Sequence, residues 1–131
     1  MTGPLDFLPH APPFRLVDEV THFERGVRIE GYHDVHADEP WFAGHFPGNP
    51  VLPGVLVLES LAQLGGMLAE APGTQLLAVD KAKVRRPVLP GARLVLKAEL
   101  LQRHGRAVKV RAEALVDGQR VAEAELLLGG A

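Results

Sequence analysis

The chain has 131 residues, of which 47% are hydrophobic, a formal net charge of -2 and no cysteine. This length fits one domain with a core large enough to fold without disulfides or metals. The charge excludes the basic surface that nucleic-acid binding requires, and the lack of cysteine excludes disulfides and thiolate metal sites. We therefore predict one domain over residues 1–131, with no nucleic-acid partner.

The N-terminal stretch, MTGPLDFLPHAPPF, has neither the basic region nor the continuous apolar segment of a signal peptide. The longest apolar run begins near Val51, but prolines, glycines and Glu59 interrupt it. A membrane span needs about 20 predominantly apolar residues. We expect a cytoplasmic protein with no membrane segment.

Two strands are predicted before residue 40. Residues 14–23 form the less clearly patterned one, and VRIEGYHDVH, residues 27–36, alternates with a period of two. One face of the second strand carries Val27, Ile29, Gly31, His33 and Val35. Because residues three apart on a strand point to opposite faces, His33 and His36 are not expected to share a metal ion.

The middle of the chain is predicted to be a rigid loop followed by the only helix. Seven of the fifteen residues from Pro40 to Gly54 are proline or glycine, which punctuate regular structure. The helix is expected over residues 53–71, because proline suits a first helical turn and Pro72-Gly73 ends the apolar pattern.

Four more strands are predicted after the helix. They cover LLAVDKAKVRRPVL at residues 76–89, LVLKAELL at 94–101, AVKVRAEALV at 107–116, and residues 120–128. His104-Gly105 and Asp117-Gly118 are turn signals that connect the last three strands in hairpins. A helix that is apolar on most sides must be buried on most sides. The expected fold is α+β of the hotdog type, with one long central helix wrapped by a curved antiparallel sheet.

Glu59 is the only charged residue among the 24 between His45 and Glu70. A carboxylate in such surroundings usually acquires a partner or a raised pKa. A carboxylic acid that stays protonated near neutral pH is suited to general-acid catalysis, although its helix face could also just reach solvent. Gln63 lies four residues later on the same face, where it could hold the carboxyl group or satisfy one hydrogen bond.

His45 and Gly54 lie in the Pro/Gly-rich segment before Glu59. Histidine is the natural base near neutral pH, although a loop histidine is more often structural. Gly54 is predicted at the helix N-terminus, where a free backbone N–H stabilises a developing oxyanion. A base, an acid and an amide donor beside an apolar groove indicate proton abstraction next to a carbonyl, coupled to loss of a β-substituent.

The same residues belong to a long motif, EPWFAGHFPGNPVLPGVLVLESLAQ, which begins at Glu39. With LPHAPPFRLVDEV, VDKAKVRRPVLPG and VDGQRVAEAELLL, it resembles the β-hydroxyacyl-acyl carrier protein dehydratases of bacterial type II fatty-acid synthesis, in their FabZ branch. The resemblance covers nearly the whole chain. Glutamate at position 59 and the short chain resemble this branch rather than the longer dehydratase-isomerases, so no double-bond isomerisation is expected.

The resemblance implies a role for each motif residue. His45 would remove the α-proton of a (3R)-hydroxyacyl thioester, and Glu59, from another subunit, would protonate the departing hydroxyl. The Gly54 amide would polarise the thioester carbonyl, Gln63 would support Glu59, and Phe46 and Val55 would join Gly54 and Gln63 in substrate binding. The resemblance further implies a homodimer that can assemble into a trimer of dimers. It also implies no metal or organic cofactor.

The implied partner is an acyl carrier protein bearing a phosphopantetheine-linked acyl chain. Such carriers are acidic, and arginine binds phosphate and carboxylate well. Within a local basic cluster that also holds Lys81 and Lys83, we assign Arg85 and Arg86 to carrier docking, against the alternative of a solvated strand end. His10, in the LPH segment, is assigned a structural role. Trp41 and Phe42 are expected to pack in the core or the tunnel wall.

The chain departs from the family at four positions. Ala11 replaces an arginine, Arg15 a leucine, Asp38 an asparagine and Val84 a phenylalanine that would shape the acyl tunnel. None is a member of the catalytic pair. They bear on acyl chain length and loop motion, which the sequence does not determine.

Two other functions remain open on the sequence. A hotdog thioesterase would hydrolyse the thioester, whereas His45, Glu59 and Gly54 suit elimination better. A non-catalytic module that binds acyl chains would have no reason to place Glu59 in apolar surroundings.

Overall fold

The computed structural model describes residues 4–8, 10–44, 48, 50–71 and 73–130, and only the backbone of Asp6. Over these ranges the chain forms strands β1 (Glu19–Glu24) and β2 (Arg28–Asp34), helix α1 (Gly54–Gly66), and strands β3 (Gln75–Val84), β4 (Arg93–His104), β5 (Ala107–Val116) and β6 (Gln119–Gly129). Short 3₁₀ helices cover Pro4–Phe7, Pro40–Ala43 and Met67–Ala69. No helix in these ranges is long and apolar enough to cross a membrane.

The six strands form one antiparallel sheet in the order β1-β2-β4-β5-β6-β3. The register shifts within the β1–β2, β3–β6, β4–β5 and β5–β6 pairs. Such bulges bend a strand and increase its twist, which curves the sheet. Helix α1 packs against β4, β5 and β6 on one face of this sheet, so the predicted hotdog fold is confirmed.

The alternating strands bury the faces that their sequences predict. Leu94, Leu96 and Ala98 of β4 are 0–3% exposed, and Val108, Val110, Ala112 and Ala114 of β5 are 0–1% exposed. These side chains pack against Leu61 and Leu64 of the helix in a single apolar cluster. The helix itself ends close to its predicted limit, because Met67–Ala69 continue it as a tighter 3₁₀ turn. Phe42 joins the cluster and Trp41 packs on it, as expected.

The Asp117-Gly118 hairpin is confirmed. Val116 pairs with Gln119, which leaves a two-residue loop. Both loop residues have positive φ angles, 51° and 76°. This is the pattern of a type I′ turn, whose twist matches that of the strands it joins.

The first strand begins later than predicted, at Glu19 rather than near residue 14. The reason is that the backbone N–H and C=O groups of the preceding segment bond to a side chain and not to a neighbouring strand. Gln63 accepts a hydrogen bond from the Leu16 N–H and donates one to the Phe14 carbonyl. The segment before β1 is therefore fixed to the helix.

Strand β3 is an edge strand with little cover. Every residue from Gln75 to Val84 is exposed, although the strand is largely apolar at its start. Leu76, Leu77, Val79 and Val84 keep 40–52% of their surface in solvent. An exposed apolar edge strand is a template for pairing with another chain.

Candidate active site

Glu59 lies in the second turn of α1, at a cavity of about 340 Å³. Ala62, Gln63 and Gly66 continue the same helix face into the cavity, as their spacing dictates. The described remainder of the lining includes Phe7, Leu8, His10, Thr74, Leu76 and Leu128. The Glu59 side chain is 23% exposed, so its carboxyl group faces the cavity from largely apolar surroundings.

Gln63 holds Glu59 in place, and the predicted contact between them is present. Its Nε2 donates hydrogen bonds to Glu59 Oε2 at 3.0 Å and to the Phe14 carbonyl at 2.9 Å. Its Oε1 accepts from the Leu16 N–H at 2.8 Å. Gln63 is 3% exposed, so these bonds are protected from water. The amide orientation is fixed, because the Leu16 N–H can be satisfied only by an oxygen.

His10 also lies beside Glu59, which the sequence reasoning missed. Its Nε2 is 3.5 Å from Glu59 Oε2, and its ring packs against Phe14 with centroids 5.9 Å apart. The two residues are 49 positions apart in the chain. No local pattern connects residues at that separation, so only the tertiary structure reveals the contact.

Gly54 opens α1 and faces a different cavity. The preceding Pro53 supplies no side-chain cap, and the first N–H groups of a helix have no partner within it. A second cavity, of about 360 Å³, is lined by Gly54, Val57, Val84 and Arg86. A Cβ added at Gly54 would lie 3.3 Å from Val84 Cγ2, so Val84 packs closely against Gly54.

Within one chain the Glu59 carboxyl group and the Gly54 amide do not share a cavity. Glu59 lies five positions after Gly54 in the helix, which turns one about 140° from the other around the helix axis. Val55, in the exposed first turn, keeps 73% of its surface in solvent. His45 and Phe46 lie outside the described residues.

Arg85 and Arg86 occupy the segment that leaves β3. Both backbone N–H groups donate to the Val121 carbonyl, at 2.7 Å and 3.4 Å. The Arg85 side chain binds Glu123 at 2.5 Å, and this hydrogen bond lowers the pKa of the Glu123 carboxyl group. Among the described residues Arg86 has no ion-pair partner, and it lies at the cavity that holds Gly54.

A separate polar cluster surrounds His33 on β2, next to the edge strand β1. His33 is 5% exposed, with Nδ1 3.0 Å from Asp18 Oδ1 and Nε2 3.2 Å from Glu39 Oε1. His36 is exposed, as the alternation predicts. The same carboxylates accept from the Asp34 and His36 N–H groups. This cluster joins Asp18, just before β1, and strand β2 to the turn before the Pro40–Ala43 helix.

The fold and the first cavity together define a hotdog-fold protein with a firmly held carboxylate in an apolar cavity. A family model described as the FabA-like domain matches residues 8–125, and the chain belongs to that family.

Curated relatives match this chain over nearly its whole length. One from Anaeromyxobacter sp. (strain Fw109-5) is 48% identical over 130 residues, covering 92% of this chain and 82% of its own. Another from Myxococcus xanthus (strain DK1622) is 47% identical over 131 residues, covering 94% and 86%. Both are named 3-hydroxyacyl-[acyl-carrier-protein] dehydratase FabZ.

Solved structures share the fold at lower identity. The dehydratase heterocomplex ApeI:P from Xenorhabdus doucetiae matches with a TM-score of 0.84 at 20% identity, covering 100% of this chain and 93% of that one. An uncharacterised protein from Pyrococcus horikoshii matches with a TM-score of 0.72 at 16% identity, covering 92% and 87%. At these identities the likeness concerns the fold alone.

Proposed function

We propose that this chain dehydrates (3R)-hydroxyacyl thioesters on an acyl carrier protein to trans-2-enoyl thioesters, in fatty-acid synthesis. The observation that carries the proposal is Glu59, held by Gln63 in an apolar cavity, in a chain 48% identical to a relative of that name. An apolar cavity accepts an acyl chain, and a held carboxyl group can deliver a proton to it.

The reaction needs a base and an acid at once. His45 removes the α-proton of the thioester, and the negative charge that reaches the carbonyl oxygen is stabilised by the Gly54 N–H. Glu59 donates its proton to the β-hydroxyl group, the C–O bond breaks and water leaves. The helix dipole adds to the stabilisation, because the N-terminus of a helix attracts negative charge. No metal or organic cofactor takes part in these steps.

Two subunits complete the site in this proposal. Gly54 and Glu59 of one chain open into different cavities. A single substrate can therefore contact both the Gly54 amide and the Glu59 carboxyl group only if a second copy of the chain supplies one of them. The exposed apolar strand β3 and the exposed Val55 support a homodimer that pairs along this edge. Assembly into a trimer of dimers is the further state that the family resemblance implies. Phe46 and Val55 then belong to the substrate-binding surface.

The acyl carrier protein docks at Arg86 and Arg85. Arg86 is exposed and has no ion-pair partner within the described ranges. It can therefore bind a phosphate or carboxylate without first breaking an existing ion pair. Arg85 is paired with Glu123 and contributes less.

Residues 1–131 act as one domain, since the described strands form one sheet and the buried apolar residues form one cluster. The cytoplasmic location stays a prediction.

The test is reversible hydration of a crotonyl thioester, followed by loss of the conjugated enoyl absorbance, with free thiol assayed in parallel. We expect wild type to hydrate the substrate without releasing thiol. His45→Ala and Glu59→Gln should each lose at least about 100-fold in kcat, since general acid–base groups contribute roughly 10²- to 10⁴-fold.

The rival functions give different results in this assay. Release of thiol would identify a thioesterase and would remove the roles given to His45 and Glu59. Binding of the thioester without turnover, unchanged in Glu59→Gln, would identify a non-catalytic acyl-binding module.

Carrier docking has its own test. Arg86→Ala should lower kcat/KM about 5- to 10-fold for the carrier-bound substrate, because a charge at the rim of an interface acts on encounter and salt dependence. It should leave kcat/KM for the same acyl group on pantetheine unchanged. Arg106→Ala, which removes another exposed arginine, is the matched control. Equal losses on both substrates would place Arg86 in the site and not in docking.

A further inference from the structure

The two oxygens of the Glu59 carboxyl group have different surroundings. Oε2 accepts the Gln63 Nε2–H bond at 3.0 Å and lies 3.5 Å from His10 Nε2. Over the part of the chain that the structure describes, Oε1 has no hydrogen-bond partner. Since Oε2 already faces a donor whose orientation is fixed, a proton on Glu59 belongs on Oε1.

The His10 ring is placed to support this asymmetry. Its Nδ1 is buried and has no hydrogen-bond partner among the described residues. A buried N–H without a partner is more costly than a bare ring nitrogen in an apolar contact, so the geometry favours the neutral ring with its hydrogen on Nε2. Nε2, which then carries the hydrogen, is the ring nitrogen that lies 3.5 Å from Glu59 Oε2. The 3.5 Å separation is long for a hydrogen bond, but such contacts often tighten when substrate binds.

We propose that His10 is a positioning residue that, together with Gln63, holds Glu59 Oε2 and directs the proton on Oε1 into the cavity. The inference rests on the proposed function, in which that proton goes to the departing hydroxyl group. When the proton has left, both donors stabilise the carboxylate. His10 therefore affects the orientation of Glu59.

No other described titratable side chain lines this cavity. The segment before β1 contributes His10, and α1 contributes Glu59 with uncharged Ala62, Gln63 and Gly66. The segment at residues 73–76 and strand β6 face it with uncharged groups only. A change in the Glu59 carboxyl signal on replacing His10 can thus be assigned to His10 without a competing described titratable group.

The experiment compares His10→Leu, which removes the donor, with His10→Gln, whose amide N–H can replace Nε2–H without a titratable ring. His104→Leu, at an exposed turn, is the matched control. Each protein is assayed for kcat and KM. The signal of the Glu59 carboxyl carbon is also recorded by ¹³C NMR with labelled glutamate, and it is assigned with Glu59→Gln. Thermal unfolding confirms that the variants are folded.

We expect His10→Leu to lose about 10- to 100-fold in kcat, with KM within about twofold, because a misplaced catalytic group costs this much in rate. Loss of a donor changes the surroundings of the carboxyl group, so the ¹³C signal of Glu59 should also move in His10→Leu. His10→Gln should restore both, and His104→Leu should match wild type.

Equal losses in His10→Leu and His10→Gln, with the Glu59 signal unmoved, would show that His10 only packs against Phe14 and would overturn the proposal. An equal displacement of the signal in both variants would also overturn it, because the ring would then act through its charge and not as a donor. The NMR measurement needs no turnover. It decides the His10–Glu59 coupling even if wild type fails as a dehydratase, which would be a failure of the proposed function.

Discussion

Gln63 connects three parts of the molecule that are distant in sequence. One buried amide group satisfies the backbone at Phe14 and Leu16 and holds Glu59 at the same time. Helical spacing alone predicted its contact with Glu59. Its two longer-range bonds had no signal in the sequence, because a side chain that replaces strand pairing leaves no periodic pattern.

Gln63→Leu should destabilise the protein and lower its activity together. The change conserves size but leaves the Leu16 N–H, in a residue 1% exposed, without its acceptor. Loss of these bonds should cost about 2–4 kcal/mol in the free energy of unfolding, measured with urea. Gln102→Leu, at an exposed position of β4, should change it by less than about 0.5 kcal/mol. Similar values for the two variants would contradict the role given to Gln63.

At the scale of elements, charged pairs join neighbouring strands across the solvent-facing side of the sheet. Arg93, at the start of β4, binds Asp34 at the end of β2 through two bonds of 2.7 Å and 3.0 Å. The Arg93 guanidinium also lies 3.9 Å from the centre of the Tyr32 ring. The hydrogen bond from Arg93 lowers the pKa of Asp34, with a smaller opposing effect of burial.

This pair should make the stability depend on pH in acid. Because the pKa of Asp34 is lower in the folded than in the unfolded chain, its stabilisation is complete above the unfolded value, near 4. It is lost as the pH falls through the folded value. Arg93→Leu should therefore lose less stability than wild type between about pH 5 and pH 2.5, and the difference should be small because the pair is exposed.

Urea unfolding at both pH values measures this difference. Arg106→Leu removes an equal charge at an exposed position that has no ion pair within the described ranges, and should follow wild type. Arg93→Leu should also be less stable near pH 7, where its ring contact with Tyr32 is lost as well. If Arg93→Leu shows the same acid sensitivity as Arg106→Leu, the pair does not control it.

At the scale of the whole molecule, the chain is asymmetric. The sheet buries one face against α1, yet its edge strand β3 leaves apolar side chains in water. Glu59 and Gly54, on opposite sides of the helix, open into separate cavities. Pairing of two chains along β3 would cover the exposed edge, and the proposed function assigns the site to such a pair.

Val79→Lys, in the middle of β3, should convert the proposed dimer to monomer and abolish activity. A lysine there carries a charge that would be buried without a partner in the dimer, and lysine on an edge strand discourages pairing. Light scattering after gel filtration measures the mass. Val27→Lys alters a residue 48% exposed, against 45% for Val79, and should stay dimeric and active. An active monomer of Val79→Lys would remove the requirement for two subunits.

The sequence by itself determined the elements whose pattern is local. The hotdog fold followed from the period-two alternation in residues 94–101 and 107–116, the turn at Asp117-Gly118 and the apolar helix. These features could be predicted because the buried face of a strand or helix is set by residues close together in the sequence. Glu59 was identified as the one charge in an apolar stretch. Only the tertiary structure placed His10 against it and fixed residues 14–16 to Gln63, because these contacts join segments about 47 to 49 positions apart through packing that no local period records.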